Sequence, residues 1–115
     1  MPVTHEVMAQ VGLRGIDADP RSFFEWFDIN HYRHPVILAD GSLACVGRLM
    51  YTDAVLSELT PFGYGDRWCF KPDGRAVRAL DEWARLGLAE PRGWHRHPDS
   101  GRRVDEETGE FYVWR

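Results

Sequence analysis

Residues 72–87 read Pro-Asp-Gly-Arg-Ala-Val-Arg-Ala-Leu-Asp-Glu-Trp-Ala-Arg-Leu-Gly, and they contain the most regular pattern of the chain. Their apolar side chains recur at the spacing of one helical face, and these are Val77, Leu80, Trp83 and Ala84. Asp73 stands where an N-cap is expected, and Gly87 supplies a stop signal at the other end. The stretch therefore predicts an amphipathic helix over about 74–86, with its apolar face packed on a sheet.

The strands of that sheet are predicted from two regions upstream of the helix. Residues 36–50 are typical of a β-hairpin, because Asp40-Gly41 supplies the positive φ angles that a two-residue type I′ turn requires. Residues 54–59 fit either a third strand or a short helix. The strand is preferred, since Thr-Pro-Phe-Gly at 60–63 closes it as a turn before a further strand at 67–70.

The first 30 residues contain one clear start signal and are otherwise poorly defined. Asp19 and Pro20 are typical of an N-cap followed by the first helical position. The aromatic residues that follow predict a short helix at 20–28, with an aromatic strand as the alternative, and they are Phe23, Phe24, Trp26 and Phe27. We therefore expect residues 1–115 to form a single α+β domain, mainly an antiparallel sheet built from hairpins that carries one well-defined helix.

The composition is that of a soluble globular domain. Of the 115 residues, 43% are apolar and 28% are charged, and the formal net charge is −4. This acidic balance disfavours broad electrostatic capture of nucleic acid. No apolar stretch approaches the roughly 20 residues of a membrane span, and no signal peptide is recognised, so we expect a cytoplasmic protein without membrane contact. Cys45 and Cys69 have apolar neighbours and are expected to be buried, reduced thiols.

The most unusual group of side chains lies in residues 93–104, Gly-Trp-His-Arg-His-Pro-Asp-Ser-Gly-Arg-Arg-Val. The turn at 98–101 predicts a hairpin with Trp94 and Arg96 on one strand face and two histidines on the other. An aromatic side chain between arginines suits base stacking and phosphate contact. The candidate binding residues are Trp94, His95, Arg96, His97, Arg102 and Arg103, together with Asp66 and Arg67. The alternative is a solvated hairpin whose Trp94 folds inward while the arginines pair with nearby acidic side chains.

The same hairpin permits two kinds of chemistry, neither of which its spacing demands. A zinc site would take its ligands from histidine and cysteine, namely Cys69, His95 and His97, with Cys45, His31 and His34 as further candidates. No second ligand pair at a fixed spacing supports it, so metal binding is the weaker alternative and no cofactor is predicted. A nuclease would combine a histidine base with Asp66 and Arg67. Because no complete catalytic motif is present, a protein that is not an enzyme is favoured.

The C-terminal residues suggest contact with another protein chain. The apolar run Phe111, Tyr112, Val113 and Trp114 predicts a final strand. At a sheet edge such a strand would offer unpaired backbone groups to a partner. Phe111, Tyr112 and Trp114 are the candidate interface residues, and the partner is expected to be a host or phage protein, or a second copy of the chain.

Two segments carry a resemblance to a known group of proteins. Residues 63–70 (Gly-Tyr-Gly-Asp-Arg-Trp-Cys-Phe) and 90–103 (Glu-Pro-Arg-Gly-Trp-His-Arg-His-Pro-Asp-Ser-Gly-Arg-Arg) resemble short uncharacterised proteins encoded in phages and prophages of proteobacteria. The resemblance covers about residues 36–104. It implies a small accessory protein acting in the bacterial cytoplasm by binding a protein partner, for example as an inhibitor of a host defence system such as CRISPR-Cas. The alternative is a nucleic-acid-binding or metal-dependent nucleolytic protein that uses Trp94–His97 and Arg102–Arg103.

Overall fold

The computed structural model describes residues 3–49 and 52–94, which form one antiparallel sheet with helices on both of its faces. The strands lie side by side in chain order. The elements are α1 (His5–Gly12), α2 (Pro20–Ile29), β1 (Arg33–Ile37), β2 (Leu43–Leu49), β3 (Thr52–Ser57), β4 (Asp66–Phe70) and α3 (Arg75–Leu86). This arrangement confirms the α+β class. Within the described residues, no helix combines the length and apolar character needed to cross a membrane.

The predicted amphipathic helix is confirmed as α3, which packs on one face of the sheet. Its buried residues meet side chains of β2, β3 and β4 in a core that includes Val46, Val55, Trp68, Leu80 and Trp83, here called the α3-side core. Gly87 ends the helix in the left-handed conformation, at φ 63°, and its N–H donates to the Trp83 carbonyl.

The start of α3 differs from the prediction by one residue. Gly74, at φ 92°, takes the N-cap position, and no side chain caps the helix there. Asp73 instead accepts a hydrogen bond from the Arg75 N–H at 3.3 Å and pairs with the Arg75 guanidinium at 2.9 Å. The predicted cap is therefore wrong in its position, although Asp73 still binds the first turn of the helix.

The first hairpin is present, but its turn is not type I′. Only Gly41 has a positive φ, 85°, whereas a type I′ turn needs two such residues. The Gly41 N–H donates to the Leu38 carbonyl, and the Leu38 N–H donates to the Ser42 carbonyl. The first strand also begins earlier than expected, at Arg33, because a bulge between Arg33 and Val36 accommodates Pro35 on the sheet edge.

The opposite face of the sheet carries two helices where the sequence predicted no packing partner. Asp19 caps α2 by accepting a hydrogen bond from the Arg21 N–H, as expected. The buried side chains Phe23 and Phe27 of α2 join Met8 of α1 over β2 and β3 in the α1/α2-side core. The two central strands are consequently buried on both faces, which gives β3 an unbroken run of buried residues.

Candidate functional site

The connections of the sheet collect at one end of the molecule. Since β1 and β3 run in the same direction in this antiparallel order, the segments that follow them leave the sheet at the same end. Helix α3 returns alongside the sheet and brings its C terminus there too, where Gly87 approaches the side chain of Ala39. We call this region, residues 38–42, 58–65 and 88–90, the loop end.

A cleft of about 280 Å³ opens at the loop end, on the side of the sheet that carries α3. Four carboxylates line it, and they belong to Asp40, Glu58, Asp66 and Glu90. Its apolar wall is formed by Leu38, Trp68 and Trp83. Two serines, Ser42 and Ser57, also line it. We call this feature the acidic cleft. No lysine or arginine is among the described residues that line it.

Asp40 is held in place by Ser42, which follows it two positions later in the chain. Its Oδ1 accepts hydrogen bonds from the Ser42 hydroxyl at 2.6 Å and from the Ser42 N–H at 2.9 Å. These two bonds stabilise the carboxylate form and lower the pKa of Asp40 below its ordinary value. Asp40 therefore stays ionised at neutral pH and contributes a fixed negative charge to the rim of the cleft.

Glu58 occupies a backbone conformation that glutamate rarely adopts. Its φ is 54°, in the left-handed region, and the residues beside it hold it there. The Leu59 N–H donates to the Leu43 carbonyl at 3.1 Å, and the Gly65 N–H donates to the Ser57 carbonyl at 2.9 Å. The Glu58 side chain lies across Gly65, where an added Cβ would collide with it. The position of this carboxylate therefore requires a strained backbone at Glu58 and a residue without a Cβ at Gly65.

Ser57, at the end of β3, is only 4% exposed and lines the same cleft. Its hydroxyl forms no hydrogen bond with other residues in the described part of the chain. The hydroxyl is therefore available to a group that enters the cleft.

Phe62 projects from the β3–β4 loop into solvent with 85% of its surface exposed. It sits in the turn 60–63, in which the N–H of Thr60 and the N–H of Gly63 each donate to the other residue's carbonyl, at 2.9 and 3.1 Å. The Phe62 N–H also donates to the Thr60 hydroxyl at 3.1 Å. The ring is therefore presented on a rigid turn rather than on a loose loop.

Of the predicted hairpin residues 93–104, the structure describes only Gly93 and Trp94. The structure places the Trp94 side chain in the α3-side core, 5% exposed, with its indole N–H donating to the Glu90 carboxylate at 3.1 Å. Such burial leaves little of the indole accessible to a base. The other candidate binding and interface residues lie outside the described residues, namely His95, Arg96, His97, Arg102, Arg103, Phe111, Tyr112 and Trp114.

Asp66 and Arg67 are neighbours in β4, and the strand turns them to opposite faces. Asp66 shares its face with Trp68 and lines the acidic cleft. The Arg67 guanidinium donates to the Tyr64 hydroxyl at 3.3 Å, and Tyr64 packs against the α1/α2-side core. The two side chains therefore do not converge on one site.

The candidate metal ligands that the structure describes are separated from one another. Cys45 and Cys69 are buried free thiols of the α1/α2-side core, and burial raises the pKa of both. His34 Nε2 lies 2.7 Å from the Asp81 carboxylate on α3, and His31 is exposed. Within residues 3–49 and 52–94, no three histidine, cysteine or acidic side chains are arranged to hold a metal ion. Zinc binding that includes His95 and His97 stays a prediction.

The sequence did not predict a site at the loop end, although one local signal lies there. The sequence of Thr60–Gly63 predicts a turn through its threonine, proline and glycine, whereas turn geometry does not require the phenylalanine at position 62. For Asp40, Glu58 and Glu90 the sequence contains no signal that joins them. No protein-family model matches this chain, and its comparison with curated proteins and with solved structures finds no significant match.

Proposed function

We propose that this protein acts by binding a protein partner through the loop end, with Phe62 as the central apolar contact. The observation that carries the proposal is the 85% exposure of Phe62 on a turn closed by reciprocal backbone hydrogen bonds. Aromatic anchors of this kind supply most of the binding free energy in protein interfaces. Burying a phenylalanine side chain contributes about 1.5–3 kcal/mol.

The rigidity of the turn makes this contribution available to binding. Association loses free energy when side chains and loops become ordered, and a segment that is already fixed loses less. The 60–63 turn is fixed by three hydrogen bonds before any partner arrives. Isolated exposed hydrophobic residues are common on protein surfaces. Phe62 differs in that the same β3–β4 loop also carries Glu58, which lines the acidic cleft.

The finer form of the proposal is that the partner belongs to a bacterial defence system such as CRISPR-Cas, and that the protein acts in the cytoplasm of the host. Its support is the resemblance of residues 63–70 and 90–103 to phage-encoded proteins, a resemblance that stays a prediction. The first of these segments begins at the Phe62 turn and includes Gly65, on which the Glu58 side chain lies. The resemblance and the proposed contact surface thus overlap in the chain.

The experiment is photo-crosslinking in a proteobacterial host, with p-benzoylphenylalanine in place of Phe62. A matched control carries the same probe in place of Ile29, which is 75% exposed at the end of α2. We expect position 62 to form a discrete adduct with one protein and position 29 to form none. Excess unlabelled protein should suppress the adduct, whereas the Phe62→Ala variant should not.

Three outcomes would contradict the proposal. The first is the absence of any adduct from position 62, and the second is the formation of the same adducts from both positions. The third is an adduct between two copies of this chain, which would assign the loop end to self-association instead of a foreign partner.

A further inference from the structure

We infer that residues 95–115, here called the C-terminal segment, cover the outer edge of β4, the edge that faces away from β3, and that residues 111–114 pair with it as a fifth strand. The inference goes beyond the proposed function, because it concerns a contact within the chain and not the Phe62 surface. It assigns an internal role to side chains that the sequence alone linked to a partner chain.

β4 is the last strand of the described sheet. In the described part of the chain it pairs only with β3, so one row of its backbone N–H and C=O groups is directed away from the sheet. The helices lie over the two faces of the sheet, where they cover side chains. Such packing does not cover the outward backbone groups of an edge strand, which stay accessible unless more chain lies along that edge.

The two edge strands differ in their exposure. Cys69 and Phe70 of β4 are each only 2% exposed, which is the burial of a central strand such as β3. The opposite edge strand, β1, consists of exposed and half-buried residues, although its Val36 and Ile37 pack against the same two cores. Because both strands have apolar packing on both faces, the faces do not account for the difference. A further segment along the outer edge of β4 accounts for it.

The C-terminal segment begins at the core that β4 helps to form, and it is long enough to follow this edge. Trp94, the last described residue, belongs to the α3-side core together with Trp68 and Phe70 of β4. Residues 95–110 can extend over roughly 50 Å, whereas a five-residue strand such as β4 is about 17 Å long. Residues 111–114 can therefore reach the edge in either strand direction.

The composition of the C-terminal segment selects residues 111–114 as the paired strand. A strand that is buried on both faces has an unbroken apolar run instead of an alternating pattern. The two faces of β4 contribute to two different cores, so a strand beside it continues both. Residues 111–114, Phe-Tyr-Val-Trp, are such a run, whereas Val104 is the only hydrophobic side chain in residues 95–110.

The test is the measurement of interstrand nuclear Overhauser effects in the full-length protein labelled with ¹³C and ¹⁵N. We expect contacts between backbone protons of β4 and those of residues 111–114, together with slow exchange of the β4 amides that point away from β3. A sample that mixes labelled and unlabelled protein distinguishes contacts within one chain from contacts between copies. Contacts of β4 with residues 95–110 instead, contacts only between copies, or the absence of contacts with residues 111–114 would overturn the inference.

Proline variants test the pairing through hydrogen exchange. Successive N–H groups of a strand point to opposite sides, so either Tyr112→Pro or Val113→Pro removes a bond to β4. We expect one of them to accelerate exchange of the outward β4 amides at least about tenfold. Thr108→Pro, the same substitution outside the proposed strand, should leave their exchange unchanged.

Exchange that is equally slow in all three proline variants would contradict the inference. If Tyr112→Pro and Val113→Pro do not fold, the contacts measured in the unaltered protein decide it.

Discussion

Acidic side chains at the two ends of the sheet have opposite surroundings. At the end away from the loop end, Asp53 is 3% exposed and lies between two arginines, Arg33 at 3.0 Å and Arg48 at 3.1 Å. At the loop end, Asp40 and Glu58 stand at a cleft whose described lining contains no basic side chain. The first end neutralises a buried charge within the fold, whereas the second collects negative charge where another molecule can reach it. This difference fits a stabilising role for the first end and is consistent with the binding role proposed for the second.

The largest effect is expected from breaking the arginine pair. The double variant Arg33→Met/Arg48→Met leaves the Asp53 carboxylate buried without a counter-charge, and it should lower the free energy of unfolding by about 3 kcal/mol. This is the lower part of the usual range, because both arginines are about half exposed. Urea denaturation followed by tryptophan fluorescence measures the change.

The matched control for that variant is its combination with Asp53→Asn, which removes the buried charge itself. This triple variant should recover part of the lost stability, and all of these proteins should still form the crosslink from position 62. A double variant as stable as the original protein would show that Asp53 does not depend on its arginines. The distinction between the two ends would then fail.

A smaller effect of opposite sign is expected at Glu58. Because its φ is 54°, Glu58→Gly should relieve the strain of a left-handed residue, and after the larger chain entropy of glycine is subtracted the protein should gain about 0.5–1 kcal/mol. Glu58→Gln keeps the strain and should leave stability unchanged. Thermal unfolding measures the change in stability, and a destabilised glycine variant would show that the strain is absent.

The smallest effect concerns the ionisation of Asp40. Its pKa in the folded protein is lowered by the Ser42 hydrogen bonds, so their contribution is present above the unfolded-state pKa and is lost as the pH falls through the folded-state pKa. Ser42→Ala should raise the pKa of Asp40 toward its ordinary value and move this loss to higher pH. A ¹³C NMR titration of the Asp40 carboxyl group measures the shift, with Asp28 on α2 as an internal control. An unchanged Asp40 titration would show that Ser42 does not tune this charge.

Sequence patterns predicted the elements best where a signal is local. The α3 stripe and its glycine stop are contained within one segment, as are the Asp19 cap and the aromatic residues of α2, and all were confirmed. The strand chosen for 54–59 was confirmed as β3 at Thr52–Ser57. The type I′ turn was wrong because Asp-Gly fits more than one hairpin geometry, and the backbone of Asp40 did not need a positive φ.

Packing across the sheet was predicted less well. Sequence patterns predicted one well-defined helix on one face of the sheet, but α1 and α2 cover the other face. The aromatic residues of α2 indicate that this helix must be buried, but they do not indicate which element it packs against. The contact of Phe23 with Gly12 brings α2 against α1, since a Cβ on Gly12 would lie 2.6 Å from the Phe23 ring, and no local pattern indicates that approach.

Local sequence was sufficient for the α+β class and for most helices and strands, because periodicity, caps and turn residues act over a few positions. The acidic cleft depended on the assembled fold. Asp40 and Glu90 are 50 positions apart in the chain, and they meet because an antiparallel order brings the β1–β2 turn and the β3–β4 loop to one end while α3 returns to it. That order is set by the burial of β2 and β3 between two cores, a free energy shared by residues throughout the described chain.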